Sequence, residues 1–172
     1  MIQENKMKKS MIFTMVVLFA FVSAVSAEVR IGGHAVSNEA YIGAKGLGIG
    51  IVLGAINGLS VKNWISRDHA FQFDANWDLN YGGVGLGVAY LIHNFNIIEA
   101  DNNKFPLYFG IKGWAAFAPD GVQAGIQVPL GIAWIPRNAP IDVFMQVEPG
   151  ISLIPKVHFA PGGGIGIRFW LS

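Results

Sequence analysis

The chain has 172 residues, with 12 Lys+Arg set against 11 Asp+Glu, no cysteine and 52% hydrophobic residues. That length fits one domain, and the balanced charge excludes both the basic excess of a nucleic-acid-binding protein and the acidic excess of a disordered one. The lack of cysteine excludes disulfides, thiolate metal sites and a cysteine nucleophile.

In chain order, Lys8 and Lys9 precede an apolar run from Met11 to Val22, and Val25 and Ala27 supply small residues before Glu28. This is the layout of a secretory signal peptide, so residues 1–27 read as a leader, 28–43 as an N-terminal segment with room for one more strand, and 44–172 as the main domain. Without the leader, nine basic groups face ten acidic ones. Downstream, no stretch offers the roughly 18 uncharged apolar residues of a membrane helix. The run "FPLYFGIKGWAAFA", for example, is interrupted by Pro106 and Lys112.

Alternation with period two recurs about every 15 residues, bounded by Gly, Pro, Asn and Asp. It predicts strands near 44–54, 58–66, 70–79, 84–95, 106–117, 122–134, 140–151 and 160–171. Side chains of a strand alternate between its faces. Placing Lys62, Asp74, Lys112, Glu148 and Arg168 on one face divides the strands cleanly: Gln72, Asp74 and Asn76 oppose Phe71, Phe73, Ala75 and Trp77, and Asp142, Phe144, Gln146 and Glu148 oppose Ile141, Val143, Met145 and Val147. Gln123, Gly125, Gln127 and Gly131 likewise oppose Val122, Ala124, Ile126, Val128 and Leu130.

The polar face is mostly glycine with about one charge per strand, too sparse for a water-facing surface. It suits the narrow interior of a small barrel whose apolar face meets lipid. The expected fold is therefore all-β: an eight-stranded antiparallel up-and-down transmembrane β-barrel. Trp77 and Phe117 fall at one rim and Phe71, Tyr90 and Trp134 at the other, as two interfacial aromatic belts require. Pro129 and Pro149 fall inside strands, which predicts a bulge or bend there. The longest connector, near 96–105, falls on the rim assigned to the periplasm, against the usual placement of long loops outside.

No catalytic, cofactor or metal site emerges. His34, His69, His93 and His158 lack ligand spacing, and there is no Gly-x-Ser-x-Gly elbow or phosphate-binding glycine loop. The interior charges Lys62, Asp74, Lys112, Asp142, Glu148 and Arg168 read as a structural lumen network, with a proton or ion path as the functional alternative. Symmetry about the "SRDH" turn predicts Lys62 opposite Asp74. Glu148 and Arg168 fall on neighbouring strands, and Lys112 can look toward Glu148 or Gln127. Trp64, Trp114, Phe144 and Trp170 point inward and should plug the lumen.

The closing residues Gly164, Gly166, Phe169 and Leu171 match the C-terminal assembly signal of outer-membrane barrels, with Ser172 in place of a terminal aromatic. More widely, "GIGIVLGAINGLSVKNWIS", "YLIHNF", "PLYFGIKG", "GVQAGIQVPLGIAW", "APIDVFMQVEPG" and "GGGIGIRFW" resemble the landmarks of a family of small outer-membrane β-barrel proteins found in spirochaetes and other diderm bacteria, across roughly residues 44–172. The resemblance implies an outer-membrane location and no established catalytic residues. Some members bind host complement regulators, which implies a surface-binding role. The expected partners are outer-membrane lipid, the barrel assembly machinery, and a host or envelope protein at the loops, with no nucleic acid. Expected is a non-enzymatic structural or surface-binding barrel. The alternatives are a lipid-modifying membrane enzyme, whose Ser/His/acid set His69 and His158 do not supply, and a soluble secreted barrel carrying an apolar ligand.

Overall fold

The computed structural model describes residues 46–55, 57–78, 83–95, 98–100, 103–136 and 138–171. The chain divides into two units, Met1–Ala35 and Val36–Ser172, and every described residue lies in the second. The expected leader and the segment 28–43, including the question of a further strand, lie outside the described residues.

Among the described residues the structure is all-β, with no helix. Thirteen strand segments follow in order: β1 Leu47–Gly54, β2 Gly58–Trp64, β3 His69–Asp78, β4 Gly83–Asn94, β5 Glu99–Ala100, β6 Asn103–Lys104, β7 Leu107–Ala118, β8 Gly121–Gln127, β9 Leu130–Pro136, β10 Ile141–Glu148, β11 Gly150–Ile154, β12 His158–Phe159 and β13 Gly162–Leu171. Eleven of them, all but β5 and β6, form eight staves of a closed antiparallel up-and-down barrel. β8 with β9 make one stave, β10 with β11 the next, and β12 with β13 the last, which pairs with β1 to close the ring.

The register sets the stagger of the ring. From Val52, one direction runs through Gly58, Asn76, Gly85 and Ala116 to Gln123. The other runs through Gly166 and Phe144 to Ala133, ten residues further along the same stave. A stagger of this kind tilts the strands by about 35–45° and leaves an eight-stranded interior that side chains can fill.

Of the bulge or bend expected at Pro129 and Pro149, the register excludes the bulge, while both prolines do interrupt their strands, between β8 and β9 and between β10 and β11. Tyr108↔Gly131 and Lys112↔Gln127 belong to one uninterrupted register, as do Val147↔Leu130 and Gly150↔Gln127. Each proline lacks a donor yet keeps its carbonyl in the ladder: Gly110 N–H donates to Pro129 O at 3.0 Å and Val128 N–H to Pro149 O at 2.9 Å. The register shift lies instead between Ser152 and Ile154, near the end of β11.

The connector between β4 and β7 holds the small hairpin β5/β6, which the alternation did not predict. It pairs onto β9 through Asn103↔Pro136 and Lys104↔Ile135, and Trp134 Nε1 donates to Asn103 Oδ1 at 3.0 Å. This hairpin shares the rim of Leu47 and Leu171, as expected for the connector.

The core is the lumen, and its composition is inverted. Arg168, Lys62 and Lys112 are among the largest fully buried side chains, at 1%, 0% and 2% exposure, while Ile111 and Phe169 are 60% and 53% exposed on the outer wall. Trp77 and Phe117 flank Val84 at one rim. Phe71 packs edge-on against Tyr90 at the other, with ring centroids 5.5 Å apart.

Inward glycines make space for side chains from the adjoining stave. Trp170 lies over Gly48, Tyr108 over Gly131 and Phe144 over Gly166. The room that Gly166 leaves is thus filled by Phe144, not by residues of its own strand. A methyl group on Gly166 would collide with the Phe144 ring and approach Ile51 O at 2.6 Å. Gly166→Ala is therefore expected to cost about 1–3 kcal/mol by overpacking, read as a lower urea midpoint; an unchanged midpoint would refute this packing.

Candidate functional site

Two cations organise the lumen. Lys112, on β7, extends across Gly87 of the adjacent β4, where a Cβ would strike its side chain. Its Nζ lies 2.7 Å from Asp74 Oδ2 and donates to Glu148 Oε1 and Oε2 at 2.9 and 3.0 Å. Glu148 also accepts from Gln146 Nε2 at 2.8 Å, and Gln146 Oε1 accepts from Tyr108 O–H at 2.9 Å. Lys112 therefore links β3, β7 and β10.

Arg168 is paired in register with Gly50, beyond which stands Ser60. It donates to Ser60 Oγ from Nε at 3.2 Å and from Nη2 at 3.0 Å, and from Nη2 to Gln72 Oε1 at 2.6 Å. Its Nη1 is 3.4 Å from Asp142 Oδ2, and the guanidinium lies 3.6 Å from the Phe144 ring centroid. Ser60 O–H and Gln72 Nε2 both donate to Asp74 Oδ1, at 2.8 and 3.1 Å, joining the two cationic centres into one network. Pairing and hydrogen bonding of this kind offset the cost of taking charges out of water.

Two expected pairings are corrected. Lys62 does not oppose Asp74: the register sets Lys62 against Gln72 and Ser60 against Asp74. The turn centres on Arg67, not Asp68, with Ile65 N–H donating to His69 O, and moving the centre by one residue moves the partner by two. Glu148 does not hold Arg168: Asp142 is its register partner, while Glu148 belongs to Lys112.

Lys62 Nζ instead lies 2.7 Å from His93 Nε2, and 4.6 Å and 5.2 Å from the Trp64 and Tyr108 ring centroids. An ammonium has only donors, so Nε2 accepts and the imidazole proton sits on Nδ1, facing Asp68 O at 3.2 Å. Sequence reasoning missed His93 in the interior, along with Ser60 and Tyr108. The signal was available: extending the inward set Gly85, Gly87, Ala89 along β4 reaches Leu91 and His93. His69 faces outward against Tyr90, and His158 is exposed.

Of the aromatic side chains expected inside, Phe144 and Trp170 are buried and Trp64 packs against their cluster, whereas Trp114 is half-buried beside an open cavity. That cavity, of about 570 Å³, is lined by Asn57, Asn76, Trp114, Gln123 and Gln127, with Lys112 at its inner end. It lies at the rim of the β1–β2, β3–β4 and β7–β8 turns. Deeper along β7, Tyr108, Leu91, Trp64, Phe95 and Trp170 fill the lumen.

No serine with a histidine base occurs in this network, and among the described residues no group of three His, Asp or Glu side chains could hold a metal. The arrangement holds charge in place. Reconstituted in a planar bilayer, the barrel is expected to give no sustained single-channel current, because ions would have to displace this packing; stable openings would contradict a filled lumen.

Compared with protein-family models, curated proteins and solved structures, the chain matches none.

Proposed function

We propose that this protein is an outer-membrane β-barrel with a non-enzymatic role as a structural element of the envelope, reached through a cleaved leader at residues 1–27. The observation that carries the reading is the inverted distribution of side chains. Charged groups are buried inside, while Ile49, Ile51, Ile111, Ile126, Met145, Ile165 and Ile167 cover the outside. Soluble proteins rarely expose a continuous apolar surface of that extent, whereas a lipid-facing wall requires it.

The two aromatic rims bound this apolar wall as interfacial belts do. Phe169 and Leu171 project outward from β13 beside inward Gly164 and Gly166, so that before β13 pairs with β1 to close the ring its free edge and apolar face would suit docking on the assembly machinery. A surface-binding role at long loops has less support, because the rim opposite the β5/β6 hairpin carries only short turns.

Fractionation tests the proposal. The protein should remain with envelope membranes through an alkaline carbonate wash and be released by detergent. Recovery in the detergent-free wash would favour the soluble, ligand-carrying alternative.

A further inference from the structure

The cavity at the barrel mouth has an unusual lining. Among the described residues its hydrogen-bonding side chains are mainly carboxamides, and the one cation that reaches it, Lys112, is already shared by two carboxylates. Asn57 accepts from Gly54 N–H through Oδ1 at 3.2 Å, which leaves its Nδ2 to donate. Gln127 donates Nε2 to Ala160 O at 3.0 Å, which leaves its Oε1 to accept. Asn76 and Gln123 add two further amides, and half-buried Trp114 supplies an aromatic wall.

Each amide offers both a donor and an acceptor. Such a set pairs naturally with hydroxyl groups, which also do both, while an indole face packs against the C–H face of a ring. A phosphate or carboxylate would meet no unneutralised cation among the described residues. The volume of about 570 Å³ is that of a small-molecule site, and the filled lumen beneath Lys112 makes it a closed-ended cup.

We propose that the mouth of the barrel binds an uncharged saccharide of one or two rings, held by Asn57, Asn76, Gln123 and Gln127 against Trp114. The inference rests on the barrel interior alone and stands whether or not the outer wall meets lipid.

The test is calorimetric titration of the full protein, refolded in a zwitterionic detergent free of sugar headgroups, with maltose, cellobiose and N,N′-diacetylchitobiose. At least one should bind saturably below roughly 20 mM, well within reach for a Kd near 1 mM, and glucose 6-phosphate should not bind. Ala116→Phe, which fills the cup, and Gln123→Ala, which removes one exposed amide and leaves the packed lumen intact, should each weaken binding by about tenfold, the worth of a hydrogen bond or more. Failure of all three disaccharides to bind would overturn the proposal. So would equal binding by both variants and the parent, or binding of glucose 6-phosphate as tight as that of the neutral sugars.

Discussion

Lys112→Met is expected to lower the unfolding free energy by about 3–5 kcal/mol, because it strips a buried charge from its partners. Asp74 and Glu148, both inside the lumen, meet the same ammonium at 2.7 and 2.9 Å. Adding Glu148→Gln should recover part of the loss, since a neutral amide is easier to satisfy there than a carboxylate without its cation. Double-mutant cycles on refolded protein separate the pairings. Lys112 should couple strongly to Glu148, and Arg168→Met should couple to Asp142→Asn more strongly than to Glu148→Gln. The reverse order would mean that the register of the last two staves is wrong.

Ile126→Arg and Ile167→Arg, both on the exposed outer wall, are expected to cost about 2–4 kcal/mol each when the barrel is folded into lipid vesicles and unfolded with urea, provided they sit near the bilayer midplane. The same changes on a water-facing wall would fall within about 0.5 kcal/mol of neutral. Gln123→Arg, at the open mouth, is the matched control and should cost little. Equal and negligible losses for all three variants would remove the lipid-facing reading of the wall.

Much of the barrel was legible in the sequence because its governing signal is local. Period-two alternation assigns each residue to a face from its immediate neighbours alone. That is why Asp74, Gln72 and Asn76, or Glu148, Gln146 and Asp142, could be placed inside before any pairing was known. Gly, Pro, Asn and Asp clusters located the turns by the same kind of local evidence. The prolines marked where the strands are interrupted but not whether the register shifts there, because the missing donor is a local fact, whereas the ladder absorbs it through the proline carbonyl, which depends on the partner strand.

Which charges meet could be decided only by the tertiary structure. In a narrow tilted ring, a long side chain does not stop at its register partner: it crosses an inward glycine and ends one stave further on. Lys112 crosses Gly87 to reach Asp74, Arg168 crosses Gly50 to reach Ser60, and Tyr108 crosses Gly131 to reach Gln146. The distance from Gln123 to Ala133 sets which residues share a level, and that stagger is a property of the closed ring, so no single strand encodes it. Composition and alternation determined that this chain would make a barrel with charges within and apolar side chains without. Closure and stagger decided that Lys112 holds Glu148, that Arg168 turns to Asp142, and that Lys62 is left to His93.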